Sequence, residues 1–65
     1  MRIYVNGAQR EIEPATLALA LGALGYGGKK VATALNGRFV PAPARAATQL
    51  SDGDKIEVVA PMQGG

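Results

Sequence analysis

Apolar and polar residues alternate near both ends of the chain. Residues 2–5 read RIYV and residues 55–60 read KIEVVA. Successive side chains of a β-strand point to opposite faces of a sheet, so alternation of this kind is typical of a strand with one buried face. The pattern predicts a first and a last strand, each with an apolar side that faces a core.

Two Asn-Gly pairs interrupt runs of strand-forming residues. Asn-Gly is the favoured pair for a type I′ turn, because both turn positions need positive φ. The sequence therefore predicts two hairpins. The first joins residues 2–5 to residues 9–13 through Asn6-Gly7, and the second joins residues 31–35 to residues 38–40 through Asn36-Gly37.

One helix is predicted between the hairpins. Leu17, Leu21 and Leu24 are spaced i, i+4 and i+7, which places them on one helical face. Thr16 precedes them as a candidate N-cap, and Gly25 is placed to end the helix. The glycine-rich residues 25–30 then form a loop.

The second half of the chain contains more turn signals than helix signals. Pro41 and Pro43 interrupt the pattern, and residues 43–46 are expected to form at most one turn of helix. Residues 51–54, Ser-Asp-Gly-Asp, predict a tight turn before the last strand. The order of two strands, one helix and three strands indicates an α+β fold in which one helix covers one face of a sheet.

The alternation also assigns side chains to the two faces of that sheet. Ile3, Val5, Ile56 and Val58 are expected to face the helix, and Tyr4, Glu57 and Val59 to lie on the uncovered face. If the first and last strands are neighbours, Tyr4 and Val59 form an apolar patch, with Phe39 as a further candidate member. Such a patch is a candidate partner-binding surface.

Composition limits the classes of function. A chain of 65 residues forms one domain that buries only about 60% of its unfolded surface. With 48% hydrophobic and 18% charged residues it is globular, and it has no apolar run of membrane-spanning length. The start, MRIYVNG, has no long apolar stretch with a cleavage site, so we expect no secretory signal. We expect a cytoplasmic protein without a membrane partner. The seven basic residues are scattered, so we expect no nucleic-acid partner, and the net charge of +2 fits a mildly acidic protein better.

An independent enzyme is improbable on the residue types available. Cysteine and histidine are both absent, which removes thiol nucleophiles, histidine bases and nearly all zinc sites, so we expect no metal and no bound cofactor. The loop around Gly28-Lys29 has Ala23 where a Walker loop needs its first glycine and Lys30 where it needs a hydroxyl. A dinucleotide-binding loop fails as well, because Gly25-Tyr26-Gly27 follows a helix and reaches Lys30 at its last position.

The chain ends in APMQGG, which suggests either a frayed terminus or a terminal carboxylate that is itself the reactive group. Three segments together resemble the ThiS sulfur-carrier family of thiamine biosynthesis, whose members are small relatives of ubiquitin. These segments are ALNGRFVP at residues 34–41, LSDGDKIEVV at residues 50–59, and the final Gly-Gly. The resemblance implies a ubiquitin-like β-grasp fold, with a mixed sheet of about five strands and one main helix packed on one face.

The resemblance also implies a division of the chain and a chemistry. Residues 1–61 would form the β-grasp domain, and residues 62–65 a flexible tail recognised through Met62, Gln63 and Gly64. A ThiF-like adenylyltransferase would use ATP to adenylylate Gly65 transiently. A sulfur donor protein would then displace AMP to leave a thiocarboxylate, and thiazole synthase, ThiG, would accept the sulfur. The protein would be a carrier rather than an enzyme.

Two alternatives remain open on the sequence. The Asp-Gly-Asp turn and terminal Gly-Gly also occur in MoaD subunits of molybdopterin synthase, which are held permanently in a larger enzyme. A ubiquitin-like modifier would instead join Gly65 to lysines of other proteins. The segment LNGRFVP and the short length favour ThiS.

Overall fold

The computed structural model describes residues 1–60. Its elements in chain order are β1 (Arg2–Val5), β2 (Ala8–Glu11), helix α1 (Leu17–Ala23), β3 (Ala32–Leu35), β4 (Arg38–Val40), a 3-10 helix (Ala42–Ala47) and β5 (Lys55–Val59). The α+β prediction is confirmed, and the arrangement is a β-grasp fold. Pro61 and the predicted tail, residues 62–65, lie outside the described residues.

The five strands form one mixed sheet in the order β2-β1-β5-β3-β4. The last strand therefore occupies the centre of the sheet. It runs parallel to β1, with Tyr4 opposite Lys55, and antiparallel to β3, with Ala32 opposite Val59. The expectation that the first and last strands are neighbours is confirmed.

Both predicted hairpins are present, and their turns have the expected backbone. Asn6 and Gly7 have φ of 50° and 85°, and Asn36 and Gly37 have φ of 51° and 86°. Positive φ at both positions is the signature of the type I′ turn, whose twist matches that of the flanking strands. The second strand ends at Glu11, two residues earlier than predicted.

Helix α1 begins and ends where the sequence predicted. The Thr16 hydroxyl accepts a hydrogen bond from the Leu19 amide at 3.3 Å, which satisfies one of the free N–H groups of the first turn. Leu24 caps the other end, and Gly25 follows with φ of 94°, a conformation that glycine adopts without strain.

The segment after β4 is more helical than predicted, since the sequence analysis allowed at most one turn over residues 43–46. The 3-10 helix spans six residues, or about two turns at three residues per turn. Pro43 lies in its first turn, where main-chain N–H groups have no partner within the helix, so the missing N–H of proline costs no hydrogen bond. Arg45 then ties the helix to β3, because its guanidinium donates to the Thr33 hydroxyl at 3.0 Å and to the Val31 carbonyl.

A small core lies between the sheet and the helical segments. The four side chains predicted to face the helix are buried, and Ile3 and Ile56 are at most 1% exposed. Within residues 1–60, the buried apolar residues are Ile3, Val5, Leu17, Ala20, Leu21, Val40, Leu50, Ile56 and Val58. Thr33 is the buried polar residue within residues 1–60, and its hydroxyl donates to the Val40 carbonyl at 2.8 Å.

Adjacent residues of β1 test the assignment of the two faces. Ile3→Asp would place an unpaired carboxylate in a fully buried position, and we expect it to lower the free energy of unfolding by more than about 3 kcal/mol. Tyr4→Asp, on the other face, should lower it by less than about 1 kcal/mol. Urea denaturation of both variants measures the difference. Equal destabilisation would show that the face assignment is wrong.

Candidate functional site

The uncovered face of the sheet is made of residues that alternate with the core residues. Strand register arranges them in cross-strand rows. Tyr4 lies beside Lys55 in the first row. Glu57, Ala34 and Phe39 form the second row, and Val59 lies beside Ala32 in the third.

Tyr4 and Val59 were expected to form one patch, and this prediction is wrong. Tyr4 is aligned with Lys55, four residues before Val59, so roughly 13 Å of strand separates the two levels. Glu57 lies between them on the same face. The cause is the stagger between the two parallel strands, since β5 extends past the end of β1. The alternation of side chains is the same in both strands, so it places Tyr4 and Val59 on one face but not at one level.

Phe39 and Val59 do come together on this face. Both line one shallow groove of about 160 Å³, together with Ala32, Ala34 and Glu57. Phe39 is 70% exposed and Val59 is 62% exposed, which is high for side chains of this size. We call Phe39, Val59, Ala32 and Ala34 the Phe39 patch. It lies at the end of the sheet where β5 leads toward Pro61.

Tyr4 belongs to a second groove on the same face. This groove, of about 430 Å³, runs between the two Asn-Gly turns and includes Lys55 and Glu57 among its lining residues. Tyr4 is half-buried, and one cation and one carboxylate lie in its groove. The exposed apolar side chains Phe39 and Val59 therefore lie near the end of β5, Lys55 lies near its start, and Glu57 lines both grooves.

The Ser-Asp-Gly-Asp turn holds the start of β5 in place. The carboxylate of Asp52 accepts from the Arg2 amide at 2.7 Å, and the carboxylate of Asp54 accepts from the Ser51 amide at 2.7 Å. Both acidic side chains therefore serve the turn, as the sequence indicated. Within residues 1–60 no group of three or more acidic residues is arranged to hold a metal ion.

Two asparagines have contacts that the sequence analysis did not predict. The Asn6 side chain bonds both main-chain groups of Val58, and the Asn36 side chain bonds the Lys55 amide and the Asp54 carboxylate. The sequence analysis used the Asn-Gly pairs only to predict the backbone of the turns, and it predicted no contacts for the asparagine side chains. The type I′ turn also accepts Asp or Gly at this position. The use of Asn at both turns was therefore the one sequence signal for an additional role of the side-chain amide.

The predicted reactive group, Gly65, and the predicted recognition residues Met62, Gln63 and Gly64 lie beyond the part of the chain that the structure describes. The structure does describe β5, the strand that precedes these residues in the sequence. β5 lies between β1 and β3 in the sheet, and its last residue, Val59, belongs to the Phe39 patch. Within residues 1–60, neither helical segment has the length and apolar character needed to cross a bilayer.

The sequence profile of the ThiS family matches residues 3–65, nearly the whole chain. The chain belongs to the ThiS family. The match continues through Gly65, so the final Gly-Gly falls inside the family region.

Solved structures of a ThiS protein from Geobacter metallireducens have the same fold as this ThiS-family chain. The crystal structure of that thiamine biosynthesis protein is 32% identical, covers all of both chains and superposes with a TM-score of 0.82. Its solution structure, determined by NMR, gives a TM-score of 0.78 over all of this chain and 88% of the other.

A longer relative is a thiazole synthase from Paramagnetospirillum magneticum. It is 38% identical over 66 residues, which cover all of this ThiS-family chain. The chain spans 20% of the length of that relative. A region similar in sequence to this chain therefore occurs within a protein named for thiazole synthesis.

Neighbouring residues of β4 test whether the Phe39 patch is independent of the core. Phe39→Thr replaces an exposed side chain and should change the free energy of unfolding by less than about 0.5 kcal/mol. Val40→Thr puts a hydroxyl into the core and should lower it by about 1 to 3 kcal/mol. Thermal denaturation followed by circular dichroism compares them. A loss for Phe39→Thr as large as that for Val40→Thr would contradict the assignment.

Proposed function

We propose that this ThiS-family protein is a sulfur carrier whose active group is the carboxylate of Gly65. The observation that carries the proposal is the family match, which runs from the first strand through the final Gly-Gly. The protein is then a co-substrate on which enzymes act. The sulfur that it carries is used to form the thiazole part of thiamine.

The chemistry begins with activation of an unreactive group. A terminal carboxyl group is an anion at neutral pH and repels nucleophiles. A ThiF-like adenylyltransferase uses ATP, and the carboxylate oxygen attacks the α-phosphate to form an acyl-adenylate as pyrophosphate leaves. Sulfur at the sulfide oxidation level, supplied by a sulfur donor protein, attacks the activated carbonyl carbon. The bond from that carbon to AMP breaks, and a thiocarboxylate remains. ATP belongs to the activating enzyme, and the carrier itself binds no cofactor.

Glycine suits a group that must reach such an active site. A residue without Cβ lets extended backbone pass through a narrow channel in which side chains would clash. Met62, Gln63 and Gly64 are the residues that the channel would recognise. In the sequence, Pro61 lies between β5 and this segment, and proline has no N–H to donate to a neighbouring strand.

Thiazole synthase, ThiG, is the proposed acceptor of the sulfur. The thiazole synthase of P. magneticum supports this, because a region similar to the entire carrier forms part of that polypeptide. Two sequences that occur in one protein are brought to high effective concentration, which favours a shared reaction. The solved structures with this fold are of a protein named for thiamine biosynthesis. Those names favour ThiG as the partner over a molybdopterin synthase subunit, and over protein lysines modified by a ubiquitin-like protein.

The Phe39 patch is the proposed docking surface for these enzymes. Its exposed aromatic and aliphatic side chains are of the types that anchor protein interfaces. It adjoins the end of β5, so an enzyme bound there is close to the segment that carries Gly65. The net charge of +2 favours a mildly acidic partner.

Changes at Gly65 test the reactive group. Gly65→Ala, or one residue added after Gly65, should abolish adenylylation, measured as ATP–pyrophosphate exchange with the adenylyltransferase. The free energy of unfolding should change by less than about 0.5 kcal/mol, as for other surface substitutions. Exchange at the unsubstituted rate by either variant would refute the sulfur-carrier proposal.

Aspartate substitutions test the docking surface. Phe39→Asp and Val59→Asp should each weaken binding to the adenylyltransferase by more than about tenfold, since a carboxylate would have to be desolvated in the interface. Leu19→Asp is the matched control, because Leu19 is 62% exposed but lies on helix α1, on the other side of the sheet. Isothermal titration calorimetry gives the three dissociation constants. Equal effects of Phe39→Asp and Leu19→Asp would contradict the proposed surface.

A further inference from the structure

The two parallel strands at the centre of the sheet end at different levels. Val5, the last residue of β1, lies opposite Ile56, whereas β5 continues for three more residues to Val59. Beyond Ile56, the side of β5 that faced β1 therefore has no strand beside it. Asn6 stands at this position, as the first residue of the turn to β2.

Asn6 continues the ladder with its side chain. Its main-chain amide donates to the Ile56 carbonyl at 2.9 Å, as the next residue of a parallel strand would. In an uninterrupted parallel ladder, the main-chain carbonyl of the same residue would accept from the Val58 amide. The turn directs the chain away toward β2, and the side-chain Oδ1 accepts from that amide instead, at 2.8 Å.

The other atom of the Asn6 amide completes the contact. Nδ2 donates to the Val58 carbonyl at 3.1 Å, so both main-chain groups of Val58 bond one side chain. Val59 then lies opposite Ala32 of β3. Only Val59 and Ala60 separate Val58 from Pro61.

We propose that Asn6 is a positioning residue for the reaction at Gly65. By fixing Val58 on the open side of β5, it sets the direction in which the chain leaves the sheet toward Pro61. Without the Asn6 amide, residues 58–60 are held from the β3 side alone. A smaller fraction of molecules then presents the end of the chain correctly, and the apparent affinity of the activating enzyme falls by that fraction. This inference rests on the proposed sulfur-carrier function.

Asn36 provides a matched control within the same fold. It occupies the same position in the second type I′ turn, with φ of 51° against 50° for Asn6. Its side chain also bonds β5, accepting from the Lys55 amide at 2.9 Å and donating to Asp54 at 3.0 Å. The two asparagines differ in the part of β5 that they bond. Asn36 bonds Lys55 at the start of the strand, and Asn6 bonds Val58 near its end.

The experiment compares Asn6→Gly with Asn36→Gly in ATP–pyrophosphate exchange with the ThiF-like adenylyltransferase. Glycine accepts positive φ without strain, so both turns keep their backbone while each loses two side-chain hydrogen bonds. We expect similar decreases in melting temperature. For Asn6→Gly, KM for the carrier should rise on the order of tenfold with kcat unchanged, as expected from the loss of two hydrogen bonds. For Asn36→Gly, KM should change by less than about twofold.

A second variant at the same position covers the case in which Asn6→Gly does not fold. Asn6→Asp keeps an oxygen acceptor for the Val58 amide but loses the donor to the Val58 carbonyl. Its KM should lie between those of the unsubstituted protein and Asn6→Gly. An unchanged KM in the folded Asn6 variants, or an equal rise in Asn36→Gly, would overturn the inference while leaving the sulfur-carrier proposal intact. Absence of exchange with the unsubstituted protein would overturn both.

Discussion

The pairing of β5 on both of its edges is the constraint on which the rest of the structure depends. The last strand of the described chain lies between the first strand and the third, so the sheet is complete only when the two ends of the domain meet. Main-chain bonds make that meeting specific. The Tyr4 amide donates to the Asp54 carbonyl at 2.9 Å, and the Gly53 amide donates to the Arg2 carbonyl at 2.6 Å. In so small a domain, these pairings hold together a core that buries little surface.

The side chains of β5 alternate between the core and the uncovered face of the sheet. Ile56 and Val58 lie in the core, while Glu57 and Val59 lie on the uncovered face. A change in position along β5 by one residue would exchange the two sets, so the register that builds the core also fixes the surface. For the proposed carrier, this means that the strand before the segment with Gly65 is held on both sides and contributes Val59 to the docking patch.

Local chemistry predicted much of the fold. The two Asn-Gly turns, the Thr16 cap and the alternation of β1 and β5 depend on neighbours in sequence, and all are present. The bounds of β2 and of the 3-10 helix were wrong by a few residues, and the larger errors arose from contacts between distant residues. The alternation placed Tyr4 and Val59 on one face but could not give the stagger between parallel strands, and it could not show that Asn6 bonds a residue 52 positions away. The family resemblance supplied the candidate role of Gly65, which no local pattern contains.

The central claim is that Gly65 carries sulfur as a thiocarboxylate. The most direct test is the intact mass of the protein purified from cells that are making thiamine, followed by fragmentation to locate any change. The account predicts a species heavier by the difference between sulfur and oxygen, with that difference confined to Gly65. A protein that carries only oxygen at this terminus, under conditions in which an active adenylyltransferase and sulfur donor are present, would contradict it.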